Sequence, residues 1–170
     1  MKGPDLTNSL LGVLTGLRQD RVAVIAAIKA MFHQVKALDP DCCFLHFLWW
    51  PDGKLSCAVE EYQMTVHLLG AVSSSACSSF AARKTADDSA EDFSANVLNT
   101  VRRNFYVDNC LKCMPSVEDA VCYVSELSSL FQRRGFRLTK WIRNSREVLE
   151  SFPGSECTQG IMKLDLQKDE

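Results

Sequence analysis

Asn104-Phe105-Tyr106-Val107-Asp108-Asn109-Cys110 is the stretch on which the reading of the fold turns. An aromatic and β-branched run, Phe105 to Val107, stops at two polar turn-formers, and an apolar run restarts at Cys110 and Leu111. This is the pattern of a β-hairpin whose tip carries a carboxylate. A hairpin tip of that kind suits holding a hard divalent cation against a phosphate. Asp-Asn pairs also end many hairpins simply because both residues tolerate a left-handed backbone.

Outward from the hairpin, strands and helices alternate. After it, Ser116 with Asp119 three residues on opens a helix through Val117, Val121, Val124, Leu127, Leu130 and Phe131. Gly135 stops that helix, and Phe136 to Ile142 reads as a final strand. Before the hairpin, Phe93 to Arg103 reads as a helix and the acidic stretch 87–92 as a loop. Ser74 to about Thr85 is a helix of small residues, which permits close approach of another backbone or a ligand.

Earlier still, Cys43 to Trp50 and Tyr62 to Leu68 read as two strands joined around Pro51-Asp52-Gly53, an antiparallel hairpin. Arg21 to Ile28 is apolar after its first residue, as expected of a central strand covered on both faces. Lys29 to Val35 leaves it as a short helix or turn. Leu6, Leu10, Leu11, Val13, Leu14 and Leu17 form the stripe of an amphipathic helix over residues 5 to 18. No internal repeat is visible. The arrangement is α+β, most simply an antiparallel sheet backed by helices.

Composition is that of a globular chain: 170 residues, 46% hydrophobic, 24% charged, enough for one domain with a real core. The net charge of −2 argues neither for nor against nucleic acid, but the charges are unevenly placed. Asp87, Asp88, Glu91 and Asp92 cluster, and residues 132–146 hold Arg133, Arg134, Arg137, Lys140, Arg143 and Arg146 without an acid. That basic stretch suits nucleic-acid phosphates or equally a solvated helix end beside a charged strand. No segment has secretory form or the length of a membrane span, so an intracellular chain with free thiols among its eight cysteines is expected. Cys110-Leu-Lys-Cys113 has zinc-knuckle spacing without a second pair of ligands.

Four blocks in order carry a family likeness: Ile28-x-x-Met31-Phe32-His33-Gln34-Val35, His67-Leu-Leu-Gly70-Ala71-Val72-Ser73-Ser74, Tyr106-Val107-Asp108, and Gly135-Phe136-Arg137-Leu138-Thr139-Lys140-Trp141. Jointly they resemble the reverse transcriptase of BEL/Pao-type LTR retrotransposons. Asp5 to Thr15 and Phe47-Leu-Trp-Trp-Pro51 fit the same group. The resemblance implies a polymerase palm, a split βαβ antiparallel sheet backed by helices, with a partial fingers segment. It places one reverse-transcriptase-like domain at residues 1–151 and a polar, poorly ordered tail at 152–170.

In that family two Mg²⁺ ions clamp the primer hydroxyl and the incoming triphosphate, held by three aspartates. The resemblance implies one carboxylate before Ile28, where this chain has Ala27, and one after Asp108, where it has Asn109. Asp108 is the surviving catalytic and metal-binding carboxylate of the pattern. Asp20, the nearest upstream acid, lies seven residues from Ala27, too far along a strand to substitute. Lys29 would share the face of Ala27 if the strand continued that far. The implied consequence is an RNA-directed DNA polymerase descendant that is catalytically inactive and holds no Mg²⁺ tightly.

The family pattern also marks Phe32, Gln34, Gly70, Tyr106 and Lys140 as substrate-binding positions. Phe32 is equally read as a core aromatic and Lys140 as a solvated lysine. Leu69 and Ser75 depart from the family's usual Phe and Pro. RNA or DNA template-primer is the implied partner, contacted through Arg133, Arg134, Arg137 and Arg143, with no membrane partner. A second reading keeps the palm fold as a non-catalytic module that binds nucleic acid or protein.

Overall fold

The computed structural model describes residues 3–144. Arg146, Cys157 and the tail expected at 152–170 lie outside the described residues. A four-stranded sheet, order β4-β5-β1-β6, is formed by β1 (Val22–Ile28), β4 (Phe105–Tyr106), β5 (Asn109–Met114) and β6 (Leu138–Arg143). All its pairings are antiparallel. A separate two-stranded sheet pairs β2 (His46–Trp49) with β3 (Glu60–Gln63). Between and around these run α1 (Leu10–Gly16), the one-turn α2 (Asp39–Cys42), α3 (Ser74–Asp87), α4 (Ala95–Arg103) and α5 (Val117–Gln132). The α+β class and the helix-backed antiparallel sheet are therefore present.

The central position of β1 follows from its composition, but only one of its faces is fully covered. Val22, Val24, Ala26 and Ile28 are buried, whereas Ala23 and Ile25 on the other face are half-buried. The buried row joins Cys110 and Met114 of β5 with the apolar faces of α3, α4 and α5 in one core. At its centre Phe131 of α5 is fully buried and meets Phe105 at 5.4 Å and Phe136 at 5.8 Å between ring centroids.

Local chemistry sets the helix ends. The Ser116 hydroxyl accepts from the Asp119 backbone N–H and donates to the Asp119 carboxylate, capping α5 as the spacing predicts. Gly135 adopts φ 79°, the left-handed turn that ends the helix. Ser94 caps α4 and is itself gripped by Glu126 of α5 through its backbone N–H and its hydroxyl. The small residues of α3 do allow a close approach: a methyl group added at Gly3 would come within 2.9 Å of the Ala76 Cβ.

Two expectations are corrected, over the first helix and the β2–β3 hairpin. The helix expected over 5–18 is confined to Leu10–Gly16, and of its residues only Val13 is buried. Residues 5–8 are instead tied by side chains to other elements: Arg83 donates to the Leu6 carbonyl at 2.7 Å, and Asn8 donates to the Phe105 carbonyl at 2.8 Å. The strands expected over Cys43–Trp50 and Tyr62–Leu68 are shorter, and residues 64–67 leave β3 to bond with 35–37 and Leu45. β1 ends at Ile28, as its composition suggested: the Lys29 N–H still reaches the Arg137 carbonyl at 2.8 Å, but Ala30 turns into the left-handed region at φ 49°. Lys29 therefore does not share a strand face with Ala27.

Because Phe131 fills the junction of α5, β4 and the start of β6, Phe131→Ala is expected to destabilise the fold by about 3–5 kcal/mol. Urea unfolding of the two proteins measures it; a loss under about 1 kcal/mol would contradict this placement of the core.

Candidate functional site

The hairpin tip is built by burial, not by turn preference. Phe105 pairs with Cys110 and Tyr106 with Asn109. Phe105 packs on Phe131, and Cys110 is buried against the Tyr123 hydroxyl at 3.4 Å. With those two side chains fixed on one face, the register is set and the loop must be Val107-Asp108. Asn109, expected in the turn, belongs to β5. The positive φ falls on Val107, at 56°. This is the first loop position, which two-residue hairpins of the II′ kind give to glycine. A β-branched residue there carries about 1–2 kcal/mol of backbone strain.

Next to the tip, β1 and β5 bring the sequence-marked positions together. Ala27 lies directly opposite Asn109, and the Ile28 N–H donates to the Asp108 carbonyl at 2.9 Å. On the other side of Ala27 is Thr139 of β6, whose hydroxyl donates to the Ala27 carbonyl at 3.4 Å. One row of side chains thus runs Asn109, Ala27, Thr139 across the sheet. The Asp108 carboxylate accepts from the Asn109 side-chain amide at 2.8 Å. Asp20 is at the far end of β1, where its carboxylate meets the Cys113 thiol at 3.5 Å, so it does not reach Asp108.

Lys140 stands beside this row for a reason the sequence did not display. The β1–β6 register shifts between Ile25 and Ala27, so Lys140 and Trp141 together oppose Ala26. This bulge turns Trp141 into the core while Lys140, at φ 57°, stays exposed. Tyr106 is half-buried in β4. Phe32 is half-buried in the 3₁₀ turn Met31–Gln34. Gly70 is exposed at φ 95° with no atom within 4 Å of an added Cβ, so the backbone conformation, not crowding, calls for glycine there.

Gln34 does not join the tip. With His67, Ser73, Cys77 and Phe80 it lines an open groove of about 1110 Å³ between α3 and residues 34–45. The tip residues Asp108 and Asn109 are outside that groove.

Two arginines of the basic stretch are matched by carboxylates within the molecule. Arg133 pairs with Asp92 and lies over the Phe93 ring, 4.6 Å from its centroid. Arg134 pairs with Asp88 at 3.2 Å, and Arg102 with Asp87 at 2.6 Å. The Lys84 ammonium, bonded to Asp88 at 2.5 Å, lowers that carboxyl below its usual value, and Arg134 adds to the effect. Arg133 and Arg134 are thus joined to the acidic stretch 87–92, distant in sequence, and a phosphate at either would compete with a carboxylate. Arg143 is half-buried opposite Val24, and Arg137 is exposed just before β6.

Cys110 and Cys113 do not form a metal pair. Their odd spacing along β5 points them to opposite faces, Cys110 to Tyr123 and Cys113 to the Gly16 carbonyl at 3.1 Å. Among the described residues no three His, Cys, Asp or Glu side chains cluster as a metal would need, and no helix is long and apolar enough to cross a membrane.

Neither a protein-family model nor a curated protein sequence matches the chain.

Two measurements probe this geometry. Burial pushes the Cys110 thiol up to about 12. Iodoacetamide at pH 9 should therefore modify the exposed Cys43, Cys57 and Cys122 of the folded protein and spare Cys110, as read by peptide mass spectrometry. Val107→Gly removes the strained left-handed valine and should raise stability by about 0.5–1 kcal/mol in urea unfolding. A loss of stability would place the positive φ elsewhere.

Proposed function

We propose that the chain is a reverse-transcriptase-like polymerase palm of BEL/Pao descent, preceded by part of the fingers, whose metal site no longer supports nucleotidyl transfer. The observation that carries this is the β1–β5 register. The positions at which the resemblance implies carboxylates, 27 and 109, are far apart in sequence yet directly opposite across two strands, with Asp108 adjoining both. Convergence of two independently marked positions on one row supports common descent of the four blocks.

The donor set does not fit a pair of Mg²⁺ ions. Hard divalent cations are held by several carboxylate oxygens and substrate phosphates. Here the row presents a methyl group at Ala27 and an amide at Asn109, and that amide occupies an oxygen of Asp108. What remains is a sheet with Asp108 and the exposed Lys140 flanking Ala27, a surface of low metal affinity.

The experiment compares the natural protein with Ala27→Asp/Asn109→Asp. The natural chain should not extend a primer on RNA or DNA with Mg²⁺ or Mn²⁺, and the double variant should bind Mn²⁺ at least about tenfold more tightly in calorimetry. Synthesis need not return, since positioning of the primer is a separate and large contribution. Extension by the natural chain that Asp108→Ala abolishes would overturn the inactive reading. Unchanged Mn²⁺ affinity in the double variant would overturn the shared row.

A further inference from the structure

The β2–β3 hairpin is the least self-sufficient part of the described molecule. Seven of its eight strand residues are exposed and the eighth, Tyr62, is half-buried. A two-stranded hairpin without a covering layer is at best marginally stable in water. Its register puts Phe47 opposite Tyr62 and Trp49 opposite Glu60 on one face. Phe47 and Tyr62 stack with centroids 5.7 Å apart, and the Tyr62 hydroxyl donates to the Glu60 carboxylate at 3.4 Å. Phe47 remains 41% and Trp49 51% accessible. This face is a ladder of aromatic rings ending in a carboxylate.

Its charge says what covers it. Asp52 at the turn lies 3.5 Å from Lys54, and Glu61 is on the opposite face, 2.7 Å from His46, so Glu60 is the one charged side chain among Phe47, Trp49, Glu60 and Tyr62. Nucleic acid can stack on aromatic rings, but such sites line the backbone track with positive charge, and the one charged side chain on this face is the Glu60 carboxylate. Two copies of this face pressed together would bury two Glu60 carboxylates with no cation from the face between them. A guanidinium or ammonium group, by contrast, is attracted both to ring faces and to the carboxylate.

We propose that the Phe47–Tyr62–Trp49 face with Glu60 is a docking surface for an arginine-rich polypeptide strand, laid along the hairpin with its cationic side chains on the rings. This inference is independent of the polymerase descent proposed above and stands or falls without it. The backbone of an extended partner can also pair with a free edge of the hairpin, the usual mode of strand addition.

The test uses the full chain and three probes: a nine-residue peptide alternating arginine and valine, its glutamate–valine counterpart, and a twelve-nucleotide oligothymidylate. The readout is indole emission, which reports Trp49 and Trp50 because Trp141 is buried. The arginine peptide should bind at low salt and the other two should not. Trp49→Ala should weaken it about fivefold or more. Glu60→Lys should weaken it about tenfold and confer binding of the glutamate peptide, a gain that a misfolded hairpin could not show. Far-UV circular dichroism checks that each variant stays folded. Absence of arginine-peptide binding, equal binding by both variants, preferred binding of oligothymidylate, or occlusion of the indoles by self-association in sedimentation would each overturn the proposal.

Discussion

The antiparallel pairing of β1 with β5 is the constraint on which the other features depend. It joins Val22 to Met114 and Ala27 to Asn109, closing a loop that contains about half of the chain. Such long-range closure is entropically costly, and it is offset by burying alternate residues of both strands against α5. Once the register is fixed, β4 must fold back on β5, β6 must occupy the other edge of β1, and the hairpin tip must adjoin Ile28. A slip of one residue would turn Val24, Ala26 and Cys110 out of the core, so the register is strongly specified.

Helix packing and electrostatics act on this sheet in sequence. Small residues on α3 let the N-terminal segment come close at Gly3, and Arg83 of the same helix holds the Leu6 carbonyl. Asp87, Asp88 and Asp92 then meet Arg102, Arg134 and Arg133 where α3, α4 and the end of α5 come together. These pairs are exposed to solvent and each contributes little to stability. Their larger consequence is that Arg133 and Arg134 of the basic stretch face carboxylates of the acidic stretch at the surface.

Two residues carry the backbone strain that this packing imposes near the tip. Val107 takes a left-handed conformation because Phe105 and Cys110 have already committed their side chains to the core. Lys140 does so because Trp141 must turn inward at the bulge. In both cases a buried aromatic side chain decides, and its neighbour accommodates. The strain therefore reports on core packing and not on local preference at the tip.

The sequence by itself determined what depends on near neighbours. The apolar run of β1, the Ser116 cap with Asp119, the stop at Gly135, the hairpin around Tyr106 and the four blocks that resemble a reverse transcriptase are all legible as local patterns. So are Ala27 and Asn109 at the positions where that resemblance implies acids, which is a matter of residue identity. The tertiary structure decided what depends on partners remote in the chain. It shortened the leucine-striped helix, because Asn8 and Arg83 tie residues 5–8 to other elements. It moved the loop to Val107-Asp108, because burial of Phe105 and Cys110 outweighs turn propensity. It put Cys110 and Cys113 on opposite faces, matched Arg133 and Arg134 with carboxylates, and set Ala27 across from Asn109. No local pattern contains that last juxtaposition, because strand register is fixed by side chains that meet only when the chain has closed on itself.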